Sequence, residues 1–194
     1  MLTDFEYQYL RRNKRHFKMT RAEAAIALES ANVPQLPAFV DFQSKFGGYS
    51  PDSDVTYGIV GTNYNSDGEP RSSRQNDLCF ARCDLNNRIQ IRLRIDENGL
   101  FYYEDRPVAE SFESYIRFKA YCSAKLQPLG WTFIDHQRRE TRKTKAFLKS
   151  LKQASAVDCA TDNFHSVFRS DQYFQIEIGG NRRLFVRPDL MRKP

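Results

Sequence analysis

The chain has 194 residues, 40% apolar and 13% aromatic, with a formal charge of +6. That is enough apolar material for a sizeable core, which excludes wholesale disorder, and no run of 18 apolar residues argues for a transmembrane helix. Residues 1–127 hold 17 Lys/Arg and 17 Asp/Glu, whereas residues 128–194 hold 13 and 7, so the positive excess belongs to the C-terminal third and points to an acidic protein or a nucleic acid as partner.

The opening MLTDFEYQYLRRNKRHFK places acids before bases and has no continuous apolar segment. It does not read as a secretory signal, and the expected location is the cytoplasm. Within it, Phe5, Tyr9 and Leu10 share a face at helical spacing. Thr20 and Glu23 form a capping box, and the Ala-rich run to Ala31 continues as a helix, ended by Asn32 and Pro34.

Leu36 to Phe46 reads as an amphipathic helix with Leu36, Phe39, Val40, Phe42 and Phe46 on its apolar stripe. Gly47 is expected in the left-handed position that terminates it, with Gly48 adding freedom to turn. A glycine pair also suggests a phosphate cradle, but such loops precede a helix and this pair follows one.

Residues 55–64 read as a strand with Gly breaks, and 65–77 as an exposed loop. Leu78–Asp84 is a strand. Ile89, Ile91, Leu93 and Ile95 alternate with Gln90, Arg92 and Arg94, the pattern of a half-buried strand. Asp96-Glu97-Asn98-Gly99 is a hairpin turn with Gly99 in the left-handed position, and Leu100–Tyr103 returns antiparallel. Ser111 then caps a helix whose stripe of Phe112, Tyr115, Ile116, Lys119 and Ala120 runs on to Leu126. Pro128-Leu129-Gly130 breaks it.

His136 to Gln153 reads as a basic helix. Phe147, Leu148 and Leu151 form a narrow apolar edge among Arg138, Arg139, Arg142, Lys143, Lys145, Lys149 and Lys152. Ser155–Asp162 reads as a loop. Tyr173–Ile178 and Arg183–Val186 form a last hairpin around Gly179-Gly180-Asn181. The expected class is α+β, an antiparallel sheet packed against helices. Its parts are an aromatic and basic segment at 1–19, a core at 20–127, and a basic helix plus hairpin at 128–194 packed on that core.

No cofactor or metal is expected. Cys79 and Cys83 share one face of a strand about 13 Å apart, at about 3.3 Å per residue, too far for a disulfide, which needs Cα atoms within about 7 Å. Neither they, Cys122 nor Cys159 has zinc-ligand spacing, and all four read as ordinary thiols. Of the histidines, His16 and His136 lie in basic segments. His165, near Asp162, has the makings of a base with an orienting acid, but a half-buried loop histidine is the preferred reading. No HExxH, GxSxG or Walker pattern occurs, so no enzymatic activity is expected.

Two stretches carry a family likeness. PQLPAFVDFQSKFGGY (34–49) is a Pro-led amphipathic helix stopped by a Gly pair. GLFYYEDRPVAESFESYIRF (99–118) is a strand, a short polar loop and a capped helix entry, Pro107-Val108-Ala109-Glu110-Ser111-Phe112. Together they resemble the SUKH superfamily (Smi/Knr-like domains) over roughly residues 20–126. The resemblance implies a binding module without catalytic residues, best known as a bacterial immunity protein that neutralises a cognate toxin. Residues 128–194 lie outside the likeness and suit a partner-binding piece. The expected contacts are Arg138, Arg139, Arg142, Lys143, Lys145 and Lys149, with Tyr102 and Tyr103, facing an acidic toxin surface. A non-enzymatic regulator or adaptor ranks second and a nucleic-acid binder third; no membrane partner is expected.

Overall fold

The computed structural model describes residues 1–31, 33–51, 57–58, 77–83, 90–103, 105–125, 132–134, 155–170, 173–178 and 181–186. They form an α+β protein with antiparallel sheets. The chain divides into two compact units, Met1–Ile116 and Arg117–Pro194. The sequence places the corresponding break near Pro128; the observed division falls inside a helix.

The first unit opens with α1 (Asp4–Leu10), α2 (Arg21–Ser30) and α3 (Pro37–Phe46). In α1, Tyr9 and Leu10 are buried as expected, but Phe5 is 42% exposed. Leu2 and Glu6 take the inward places instead. The buried Glu6 carboxylate is stabilised by accepting the Thr3 backbone N–H at 2.6 Å, because a buried polar group needs a partner. The capping box of α2 forms as read: the Glu23 carboxylate accepts from the Thr20 N–H at 2.7 Å, and the Thr20 hydroxyl accepts from the Glu23 N–H at 3.3 Å. With Pro37 at its first turn, α3 buries Phe39, Val40, Phe42 and Phe46.

A four-stranded antiparallel sheet follows, in the order β1 (Asp77–Cys83), β2 (Gln90–Asp96), β3 (Phe101–Tyr103), β4 (Arg106–Ala109). The alternation in β2 is realised where its side chains are described: Leu93 and Ile95 are buried, and they pair with Tyr103 and Phe101 of β3. Asp96 builds the turn between these strands. Its side chain accepts the backbone N–H groups of Asn98 (3.0 Å) and Leu100 (2.9 Å), and Gly99 adopts φ +84°. Strand β4 contains the Pro107-Val108-Ala109 of the helix entry, with Val108 and Ala109 buried.

Helix α4 (Phe112–Lys125) starts at Ser111, whose hydroxyl accepts from the Ser114 N–H at 3.1 Å. Phe112, 4% exposed, is the hub of the first unit's core. Its ring centroid lies 4.8 Å from Phe42, 4.9 Å from Phe46, 4.8 Å from Tyr57 and 5.2 Å from Phe101, each at a steep interplanar angle. Edge-to-face packing of this kind adds about 0.5–1.5 kcal/mol per pair beyond area burial.

The second unit holds a five-stranded antiparallel sheet. Its order is β5 (Thr132–Ile134), β9 (Asn181–Val186), β8 (Tyr173–Ile178), β7 (His165–Arg169), β6 (Ser155–Ala156). Val167, Phe174, Ile176, Leu184 and Val186 are buried. From the later turns of α4, Phe118 packs against His165 and Tyr121 stacks on Phe174.

Several expectations are corrected. The left-handed glycine after α3 is Gly48 (φ +85°), while Gly47 has φ −54°. Tyr57 and Gly58 lie in no strand; the rest of the strand expected at 55–64 is outside the described residues. The loop expected at Ser155–Asp162 contains β6 and a 3-10 turn at Asp158–Ala160. Strand β9 begins at Asn181, not Arg183. The strand β7 goes unread in the sequence because HSVFR, polar at three of its five positions, has no clean alternation. The basic helix expected at 136–153 lies outside the described residues.

Candidate partner-binding surface

Of the expected contact residues, Arg138, Arg139, Arg142, Lys143, Lys145 and Lys149 lie outside the described residues. Tyr102 and Tyr103 are neighbours on β3, so their side chains leave the sheet on opposite faces. Tyr103 pairs with Leu93 and shares its face, yet at the strand end it is 40% exposed. Tyr102 pairs with Arg94, whose guanidinium carbon lies 4.1 Å from the Tyr102 ring centroid. The Tyr102 hydroxyl donates to Asp96 Oδ2 at 3.2 Å. Tyr102 is thus held in an Arg94–Tyr102–Asp96 stack, and Tyr103 is the tyrosine that offers open ring surface. The two do not form one patch.

His165 is not the half-buried loop histidine of the sequence reading. It is 2% exposed and opens β7 opposite Ile178. Its Nδ1 lies 3.0 Å from Asp162 Oδ1. The same oxygen accepts the backbone N–H groups of Phe164 (2.8 Å) and His165 (3.0 Å). The carboxylate therefore fastens the turn into β7 and orients the imbedded ring against Phe118, 4.7 Å away.

A further charged surface lies in the segment read as aromatic and basic, to which the sequence assigned no contact role. Arg11, Arg12, Lys14, Arg15 and Lys18 are five cations in eight residues, with no acid between Glu6 and Glu23. The balance over residues 1–127 conceals them; a count in a short window exposes them. The segment is built into the first unit. The His16 N–H donates to the Gly48 carbonyl at 2.8 Å. Arg15 reaches the end of α3, donating from Nε to the Gly47 carbonyl (2.9 Å) and from Nη2 to the Ser44 carbonyl (3.2 Å). These carbonyls have no partner within the helix, and a cation there complements the helix dipole. Arg15 also lies 4.3 Å over the Tyr49 ring. Asn13 Nδ2 donates to the Ser50 carbonyl at 2.7 Å.

Cys122 is a free thiol, and burial pushes it up to about 12. Among the described residues no group of His, Cys, Asp and Glu is placed to hold a metal ion, and no helix is long and apolar enough to cross a membrane. No protein-family model, curated protein or solved structure matches this chain.

Proposed function

We propose that this chain is an immunity protein of the SUKH type, which binds a cognate toxin by direct contact and neutralises it in the cytoplasm of the cell that makes both. The observation that carries this reading is the meeting of the two family-like stretches in one core. Phe112, at the end of the Pro107–Phe112 helix entry, packs on Phe42 and Phe46 of the helix that the Gly pair terminates. The Asp162–His165 pair serves turn-building and packing, which suits a binding module. The C-terminal basic residues Arg138, Arg139, Arg142, Lys143, Lys145 and Lys149 would meet an acidic toxin surface, where opposite charges speed association and select the partner.

The test is co-expression. The protein encoded beside this chain, or its C-terminal domain, is induced with and without it, and growth is followed. Rescue of growth together with co-purification of the pair is the expected result. A neighbour that is not toxic, or toxicity that the chain does not relieve, removes the reading.

A further inference from the structure

We propose that the N-terminal arm Arg11–Lys18 is a docking strip for an acidic protein segment. The inference rests on the reading above only in taking the partner to be a protein. It is argued from the arm itself.

The arm is anchored from one side and charged on the other. Arg15, Phe17 and Met19 are partly buried, whereas Lys14, His16 and Lys18 are exposed. Successive outward residues are therefore at most about 7 Å apart, the reach of two residues of chain. Arg11, Lys14 and Lys18 form no ion pair with the described residues. The charge of Arg15, by contrast, is committed to the α3 carbonyls. The backbone carrying these cations is held by Arg15, Asn13 and the His16–Gly48 hydrogen bond. Little ordering remains to be done when a partner arrives, which favours binding.

The chemistry of the strip selects carboxylates over bases. Single-stranded nucleic acid is held by charge together with open aromatic faces on which bases stack. Here the tyrosine rings around the arm are each faced by one of its own guanidinium groups. Arg11 lies over Tyr7, Arg12 over Tyr9 and Arg15 over Tyr49, and Tyr9 and Tyr49 are buried. Among the described residues the arm itself is irregular backbone, not a recognition helix or ribbon of the kind that enters a duplex groove. What it offers is a short row of cations. An acidic segment that sets carboxylates opposite Lys14 and Lys18 matches that row, since opposite charges facing each other across paired chains are stabilising.

Fluorescence anisotropy with a labelled peptide of alternating Glu and Thr tests the strip in the full chain. The Lys14→Glu/Lys18→Glu variant is compared with Arg169→Glu/Arg183→Glu, which makes the same change in net charge at exposed positions of the second unit. At low salt the arm variant should bind the peptide about tenfold more weakly, with the difference shrinking as salt rises. The control should stay near the parent. Far-UV circular dichroism confirms folding, and Lys14→Gln/Lys18→Gln should show an intermediate loss. Equal losses in the arm and control variants would mean net charge alone, and no loss in the arm variant would mean a solvated strip; either overturns the proposal. A labelled random duplex DNA bound more tightly than the peptide, and lost in the arm variant, would overturn it in favour of nucleic acid. Because the peptide assay needs no toxin, it stands or falls apart from the co-expression result.

Discussion

The Phe112 ring meets Tyr57 edge to face, centroid to centroid 4.8 Å at an interplanar angle of 83°. Tyr57 is held there by its own backbone, which donates to the Tyr49 carbonyl and accepts from the Gly48 N–H, both at 2.8 Å. The glycine pair after α3 and the cap of α4 are thereby coupled through one aromatic contact.

Phe112→Ala should destabilise the protein by about 3–5 kcal/mol, the usual cost of truncating a buried Phe. Chemical denaturation measures it. A loss below about 1 kcal/mol would mean the rings around Phe112 contribute little to stability.

Gly48→Ala should be costlier than Gly99→Ala, although both have left-handed backbones. A Cβ on Gly48 would lie 2.1 Å from the Phe17 carbonyl oxygen, whereas one on Gly99 meets nothing nearer than Ala38 Cβ at 3.9 Å. Gly99→Ala then carries only the left-handed penalty of about 1–2 kcal/mol. Thermal melts of the two variants should rank in that order.

Removing Arg15 tests the clamp on α3. Arg15→Ala should lose about 1.5–3 kcal/mol, the range for hydrogen bonds to a charged group, reduced by partial exposure. Arg15→Lys should recover only part, because an ammonium lacks the planar fork and stacks poorly on Tyr49. Lys14→Ala, next to it and exposed, should stay within about 0.5 kcal/mol of the parent.

Cys122 should resist alkylation in the folded protein. Burial disfavours the thiolate, so the group stays protonated up to about 12, and the thiolate is the reactive form. Peptide mapping after iodoacetamide at mildly alkaline pH should show Cys122 unlabelled until denaturant is added. The same shift has a linkage consequence. Its folded value lies above the ordinary 9.0, so the folded state binds more protons between about 9 and 12 and this contribution to stability falls as pH rises through that window. Rapid native labelling of Cys122 at pH 8 would contradict the burial.

Under the proposed immunity role, reversing Arg138, Arg139, Arg142 and Lys143 to Glu should slow association with the cognate toxin and weaken protection, and the loss should shrink at high salt. Growth rescue equal to the parent's would leave that segment as a solvated face.

Local chemistry was readable from the chain. The Thr20 and Ser111 caps, the Asp96–Gly99 turn and the inward side of β2 each depend on residues within a few positions of one another. A hydroxyl beside an orphan N–H, or a period of two, specifies them without help from distant chain. The outcomes that went unread all join residues far apart. Gly47 and Gly48 are equally able to be left-handed by sequence; Gly48 is the one that turns where its carbonyl accepts the His16 N–H and its N–H donates to the Tyr57 carbonyl. Arg15 looks like one more solvated cation in a basic segment until α3 brings its last carbonyls alongside. His165 reads as a loop residue because the strand that buries it is defined by pairing with β8, not by its own alternation. Caps, turns and periodicity are local free energies, so the sequence determined them; which glycine bends, which cation is spent on a helix end and which is left for a partner were decided only when packing brought distant segments within hydrogen-bonding range.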